Sequence, residues 1–113
     1  MKCKKCGEVY CVCPIGRANI LDTARDITCR GREEQHGAPE NNFATIAAFW
    51  RTYLKRRNPN REEPIFIDAV DVGLMMALLK ISRAANGDFN IDDYIDGAGY
   101  FACAGELAGG DRA

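Results

Sequence analysis

The strongest apolar segment of the chain is residues 71–83, which read Asp-Val-Gly-Leu-Met-Met-Ala-Leu-Leu-Lys-Ile-Ser-Arg. On a helical projection the apolar residues fall on nearly every side, a pattern typical of a helix that is buried almost all round. Asp68 lies just before the segment and Asp71 follows three residues later, a spacing that resembles a capping box and suits the positive end of a helix dipole. Asn86-Gly87 predicts a left-handed stop at the other end. We therefore predict a central buried helix with other helices packed around it.

Three further helical patterns accompany this segment. Residues 16–28 carry an apolar stripe made of Ile20, Leu21, Ala24 and Ile27. Pro39 begins the second pattern at a first-turn position, and its core-facing stripe is Phe43, Ile46, Ala47, Trp50, Tyr53 and Leu54. The last pattern starts near residues 90–93 and runs to about Leu107, with small residues that indicate close approach to the central helix, namely Gly97, Gly99, Ala102 and Gly105. The predicted fold class is all-α, with four helices in one domain over residues 15–113.

The composition allows one domain with a single core. The chain has 113 residues, and 15 basic and 16 acidic side chains give it a net charge of −1. This balance argues against a duplex nucleic acid partner, because duplex binding usually needs a basic face. No apolar run approaches the roughly 20 residues that cross a bilayer, and the N-terminus lacks the apolar region of a secretory signal. These features predict a cytoplasmic protein without a membrane partner.

Six cysteines in a reducing compartment are more typical of metal ligands or plain thiols than of disulfides. Four of them fall within residues 1–14 in two close pairs, Cys3, Cys6, Cys11 and Cys13. We interpret this segment as a structural zinc knuckle, because coordination by four thiolates leaves no open position for a substrate. The alternatives are a flexible thiol-rich tail, or half of a site that a partner chain completes. Cys29, after the first helix, is expected to be a buried or half-buried thiol.

Two acidic pairs share a spacing, Asp68-x-x-Asp71 and Asp93-x-x-Asp96, that places both carboxylates on one face of a helix. Facing carboxylates favour a counter-charge, and Mg²⁺ bound through oxygens is a common one. If the last two helices are antiparallel, the pairs lie at opposite ends, and Glu40 or a second subunit would have to complete a site. The simpler alternative is that these acids only cap their helices.

Asp96 lies one turn inside the last helix, where capping no longer accounts for it. Beside small residues it should be partly buried and therefore needs a partner. Lys80, set in an otherwise apolar helix, is a candidate, so that a Lys80–Asp96 ion pair is the structural interpretation. In the functional interpretation Asp96 binds a metal ion and Lys80 binds phosphate. Arg83 is a further candidate partner, and His36 in the polar loop either bonds locally or contacts a ligand.

Taken together, these motifs resemble a family of small phage and prophage proteins. The matching stretches lie within about residues 18–107 and are His36-Gly37-x-Pro39-Glu40-Asn41-x-Phe43, Ile46-Ala47, Trp50, Asp71-Val72-x-Leu74-Met75-Met76-x-Leu78-Leu79-Lys80-Ile81-x-Arg83 and Asp93-x-x-Asp96-x-Ala98-Gly99-Tyr100-x-Ala102. That family is in turn distantly similar to the all-α MazG-like nucleoside triphosphate pyrophosphohydrolases and dimeric dUTPases. Those enzymes hold Mg²⁺ with a Glu-Glu-x-x-Glu helix and a Glu/Asp-x-x-Asp helix, and water attacks the phosphate chain.

The resemblance implies a homodimeric four-helix bundle of MazG-like fold that hydrolyses a (deoxy)nucleoside triphosphate to monophosphate and pyrophosphate. By this resemblance Asp93 and Asp96 would hold Mg²⁺ and Glu40 and Asp71 would complete the catalytic set. The remaining implied residues would contact the phosphates, namely His36, Lys80 and Arg83. The central helix has apolar residues where that family has acids, which favours a second hypothesis, a protein that binds or sequesters a nucleotide without cleaving it. A third is an interaction module whose zinc knuckle contacts a protein or single-stranded nucleic acid.

Overall fold

The computed structural model describes residues 15–31 and 37–110, and every regular element in these ranges is helical. Helix α1 (Arg17–Asp26) continues into a π-helical turn (Ile27–Gly31), and α2 (Pro39–Arg57), α3 (Ala69–Asn86) and α4 (Ile91–Gly109) follow. The predicted all-α fold with four helices is confirmed. The four cysteines of the predicted zinc knuckle and His36 lie outside the described residues.

The start of α3 is the capping box that the sequence predicts. The Asp71 N–H donates to Oδ1 of Asp68, and the Asp68 N–H donates to Oδ2 of Asp71, each at 3.0 Å. The predicted left-handed stop is wrong, because Gly87 has extended backbone angles (φ −113°, ψ −179°). After Gly87 the chain continues in a short connection to α4, whose first turn is capped by the side chain of Asn90.

Two clusters of buried side chains hold the helices together. Residues from α2, α3 and α4 form the larger cluster, made of Phe43, Ala47, Val72 and Cys103. The smaller cluster joins α1 to α4 through Ala24, Ile91 and Ile95. Because α4 contributes to both clusters, it links α1 to the rest of the bundle, whereas α2 packs mainly against α3.

The prediction that α3 is buried almost all round is wrong, because one side of the helix is exposed. Gly73 and Ala77 face α4, and Val72 faces α2. The flank opposite α2 has no neighbour among the described residues, so that Leu78 is 62% exposed. Apolar periodicity identified the helix correctly, but one side of it lies on the surface of this chain.

Three further side chains that the sequence predicts to be buried or half-buried are exposed. Tyr53 (62% exposed) and Leu21 (60%) belong to the predicted stripes of α2 and α1 but point away from the core. Cys29 is exposed rather than half-buried, and Cys103 is the buried thiol instead.

Small residues bring α3 and α4 close together, as the sequence predicts for Gly97. A Cβ atom added to Gly97 would lie 3.5 Å from Cβ of Lys80 on α3. The closest approach is at Gly73, where an added Cβ would lie 2.9 Å from Cβ of Ala104. Gly99 faces Thr28 in the π-helical turn instead of α3, and Gly105 has open space around it.

This difference predicts opposite effects of the same substitution at two helical glycines. Gly73→Ala should lower the free energy of unfolding by about 1–2 kcal/mol, because overpacking of about 1–3 kcal/mol outweighs the gain in helix propensity. Gly105→Ala, with no atom in the way, should raise it by about 0.5–1 kcal/mol. Urea denaturation followed by circular dichroism measures both values. Equal stabilisation by the two substitutions would contradict the close α3–α4 contact.

Candidate functional site

An open depression of about 680 Å³ lies at the corner where α3 ends and α4 begins. The residues that line it all have polar or charged side chains except for one glycine, and they are Lys80, Ser82, Arg83, Asn86, Gly87, Asp88, Asn90, Asp92, Asp93 and Asp96. The antiparallel course of α3 and α4 places the basic end of one beside the acidic start of the other. The corner therefore brings together four of the predicted site residues, Lys80, Arg83, Asp93 and Asp96.

The Lys80–Asp96 ion pair forms the inner wall of this depression. Nζ of Lys80 lies 3.0 Å from Oδ2 of Asp96, and the two side chains are 12% and 24% exposed. The small Gly97 next to Asp96 leaves room for the stem of Lys80. The predicted Lys80–Asp96 ion pair is thus confirmed, and it holds one positive and one negative group at the inner wall of the depression.

Asp93 is the most deeply buried charged residue among the described ones, at 8% exposure. It lies in the first turn of α4, where the helix dipole favours a negative charge. Its side chain lines the depression, and no buried polar side-chain atom of the described residues lacks a hydrogen-bond partner. Asp93 thus brings a second carboxylate to the corner, beside that of Asp96.

Asp71 lies at the far end of α3. Twelve residues separate it from Arg83, a rise of about 18 Å along a helix. Its carboxylate accepts a hydrogen bond from the Asp68 N–H, which occupies it in capping. The structure therefore does not bring Asp71 together with Asp93 and Asp96 in one chain.

Glu40 does not line the depression, although its helix begins on that side of the bundle. Phe43, one turn further along α2, contacts Tyr100, with ring centroids 6.2 Å apart. Near the other end of α2 the Arg51 guanidinium donates a hydrogen bond to the Ile67 carbonyl, just before α3. α2 runs away from the corner between α3 and α4. The exposed Glu40, in the first turn of α2, therefore lies in the half of that helix that is nearer to the corner.

Several lining residues were not singled out from the sequence. Asp88, Asn90 and Asp92 sit in and after the short connection between α3 and α4. Their signal was present as a polar run, Asn86-Gly87-Asp88 followed by Asn90, between two apolar helices. Capping accounts for Asn90, whose side chain accepts the Asp92 N–H at 3.0 Å.

Comparison with known proteins places this helical bundle in a family. Residues 19–108, which include all of α2 and α3 and all but the last residue of α4, match a family described as Domain of unknown function (DUF6378). The chain belongs to this family. The sequence-based resemblance to small phage proteins is confirmed at that level.

Two phage proteins are similar to this chain. It is 31% identical to the Gene 55 protein of Mycobacterium phage D29 over 85 residues, which cover 75% of this chain and 50% of that protein. It is 33% identical to the Gene 55 protein of Mycobacterium phage L5 over 82 residues, covering 73% and 47%. The chain thus spans about half the length of these relatives. No solved structure matches it.

Mg²⁺ fits the donor set of the corner in a limited way. No three His, Cys, Asp or Glu side chains converge as a metal site within residues 15–31 and 37–110. Mg²⁺ is nevertheless commonly held by one or two carboxylates together with substrate phosphates and water. Asp93 and Asp96 supply such a pair, one helical turn apart on α4. None of the described helices is long and apolar enough to span a bilayer.

Proposed function

We propose that the corner between α3 and α4 binds the phosphate chain of a nucleotide with the help of Mg²⁺. The observation that carries the proposal is the lining of the corner, which brings the carboxylates of Asp93 and Asp96 together with the basic side chains of Lys80 and Arg83 in one open depression. A divalent cation would offset the negative charge of the two carboxylates. Phosphate oxygens would supply the ligands that the protein lacks.

The basic residues of the corner fit the same ligand. Arg83 is exposed at the rim, where its guanidinium can bind two phosphate oxygens at once. Lys80 is fixed by Asp96 and presents its charge from the floor of the depression. When bound, Mg²⁺ would neutralise charge on the phosphates and help to activate water. Asp93 and Asp96 would hold it, and Lys80 and Arg83 would orient the phosphate chain.

Hydrolysis to monophosphate and pyrophosphate is the activity that the similarity to MazG-like enzymes proposes for this corner. Binding without cleavage is the second candidate, and the position of Asp71 favours it. Because Asp71 caps α3 at the opposite end of the helix, one chain presents only part of the proposed set of catalytic carboxylates. The products of the reaction distinguish the two candidates.

Asp93→Asn should weaken Mg²⁺-dependent nucleotide binding by about 10- to 100-fold, the range seen when support of a metal ion is lost. Equilibrium dialysis of a panel of nucleoside triphosphates with Mg²⁺ measures the affinity, and chromatography of the same mixtures detects monophosphate and pyrophosphate. Asp22→Asn is the matched control, because Asp22 is an exposed aspartate on α1. Intact nucleotide retained by the protein would support binding alone. Equal affinities for the wild type and Asp93→Asn would refute the site.

We also propose a homodimer formed through what we term the apolar face, the flank of the α3–α4 hairpin opposite α2. Its members are the exposed side chains Leu74, Leu78, Ile81, Tyr94 and Phe101. On α3 they recur at spacings of four and three residues, the repeat by which two helices pack against each other. No charged side chain interrupts this set.

The area of the apolar face matches a small but specific interface. The exposed fractions of its members run from 38% for Leu74 to 65% for Phe101. If a fully exposed large side chain offers about 200 Å², the five together expose roughly 500 Å². Two copies facing each other would bury roughly 1,000 Å² from these side chains alone, the lower bound for a specific interface. A second copy of the same face is self-complementary under two-fold symmetry.

A further inference from the structure

The outer face of α2 exposes aromatic and basic side chains together. Phe49 is 70% exposed and Tyr53 is 62% exposed. They are four residues apart and so lie one above the other on the same side of the helix. Arg56 and Arg57, both exposed, follow Tyr53 by three and four residues and continue that side. Two guanidinium groups thus follow the two aromatic rings along the same side of the helix.

A second depression of about 360 Å³ lies on another side of α2, near the end of the helix. It is lined by Arg51, Thr52, Lys55 and Asn58 and by residues of the segment after α2, namely Arg61, Glu62, Glu63, Pro64 and Ile65. The Arg51 guanidinium anchors this segment by donating a hydrogen bond to the Ile67 carbonyl, and within the segment Nε of Arg61 donates to the Glu63 carbonyl at 3.1 Å. Phe66, 85% exposed, belongs to the same segment.

The charge of this region differs from that of the whole chain. Residues 51–61 contain five basic side chains, and no acidic residue lies between Glu40 and Glu62. The chain as a whole has a net charge of −1. The positive charge is therefore concentrated at the end of α2, away from the acidic corner between α3 and α4.

We propose that this surface, here called the α2 surface and made of Phe49, Tyr53, Arg56 and Arg57, binds single-stranded nucleic acid. Exposed aromatic rings stack on unpaired nucleobases, and cationic side chains bind the backbone phosphates. A duplex keeps its bases stacked inside, so that the rings have nothing to stack on. Two arginines follow the rings on the same side of α2, in a stretch that has no acidic residue, which favours a polyanion over a protein partner. The inference stands apart from the proposed nucleotide site, which uses other residues at another end of the bundle.

Fluorescence anisotropy with a labelled single-stranded oligonucleotide tests the α2 surface. Phe49→Ala/Tyr53→Ala should weaken binding by about 10- to 100-fold, as loss of stacked bases does in other proteins. Because both side chains are exposed, the fold should persist, which circular dichroism checks. Phe89→Ala is the matched control: Phe89 is also a largely exposed aromatic (65%) but stacks on Tyr94 at the α3–α4 corner. It should leave affinity for the strand unchanged.

Salt dependence gives a second readout that does not rely on the aromatic variant. Arg56→Gln/Arg57→Gln should reduce the slope of log affinity against log salt by about 1.4, since each phosphate contact on a single strand contributes about 0.7. Three results would overturn the proposal. They are no binding at low salt, tighter binding to the duplex of the same sequence, and equal losses in Phe89→Ala and Phe49→Ala/Tyr53→Ala. Binding of heparin and the oligonucleotide with no effect of the aromatic variant would show a polyanion surface instead.

Discussion

Ile95→Ala is expected to lower the free energy of unfolding by about 2–5 kcal/mol, the range for removing a large buried aliphatic side chain. Ile95 is 1% exposed and joins α4 to α1 through contacts with Ala24 and Ile91. The substitution removes apolar contacts from both helices and leaves a cavity, because the neighbours on two helices cannot close it fully. Small domains are stable by about 5–15 kcal/mol in total, so this one change removes a large share.

Urea denaturation of Ile95→Ala, followed by circular dichroism, measures this loss as a shift of the midpoint. Leu21→Ala is the matched control, since Leu21 is a comparable side chain on α1 but is 60% exposed. It should cost less than about 1 kcal/mol, as surface substitutions usually do. Similar losses in the two variants would show that α1 does not dock on α4 through this cluster.

Leu78→Glu is expected to weaken the proposed homodimer by at least about 100-fold. Leu78 is 62% exposed in the middle of the apolar face. Two-fold symmetry would place the new carboxylate in the interface twice. An uncompensated buried charge costs about 3–5 kcal/mol, and each 1.4 kcal/mol is about tenfold in the dissociation constant. Since Leu78 is on the surface of one chain, the fold itself should persist.

Sedimentation equilibrium over a range of protein concentrations measures this change. Ala44→Glu is the control, because Ala44 is exposed on α2, on the other side of the hairpin. It adds the same charge outside the apolar face and should leave the dimer intact. A wild-type protein that is monomeric at all concentrations would refute the dimer. A dimer that Ala44→Glu disrupts and Leu78→Glu does not would move the interface to α2.

The helix boundaries were predictable because their causes are local. Pro39 begins α2, and the reciprocal hydrogen bonds between Asp68 and Asp71 begin α3, as the sequence indicates. The Lys80–Asp96 pair was also predictable, because a lysine in an apolar helix and an acid beside glycines each require a partner. These inferences need only neighbouring residues and one antiparallel contact.

The distribution of burial was not predictable in the same way. Apolar residues recur with the same helical spacing whether their own chain or a second chain covers them. The sequence therefore predicts that Leu78 is buried, although it is exposed in this chain. The close packing of α3 against α4 depends on small residues, whose effect is visible only when the helices are packed. Gly73 is the clearest case, since its contact with Ala104 links residues far apart in sequence.

The candidate site was predicted in part. The spacing of Asp93 and Asp96 predicts that both lie on one face of α4, and the structure brings Arg83 and Lys80 into the same depression as these acids. The burial of Asp93 depends on the turn between α3 and α4, which no residue spacing specifies. Asp71 belongs to the predicted set because Asp68 and Asp71 have the same spacing as Asp93 and Asp96. In the structure the spacing of Asp68 and Asp71 forms the capping box of α3.

All the residues that line the α3–α4 corner come from one short continuous segment, residues 80–96. A site that is encoded locally can be inherited as a unit, since all its lining side chains lie close together in the sequence. It also assembles early, because helices joined by a short connection meet at little cost in chain entropy. Relatives that differ widely elsewhere can therefore be compared through these residues alone, and loss of the site would be recorded as substitutions within this one hairpin.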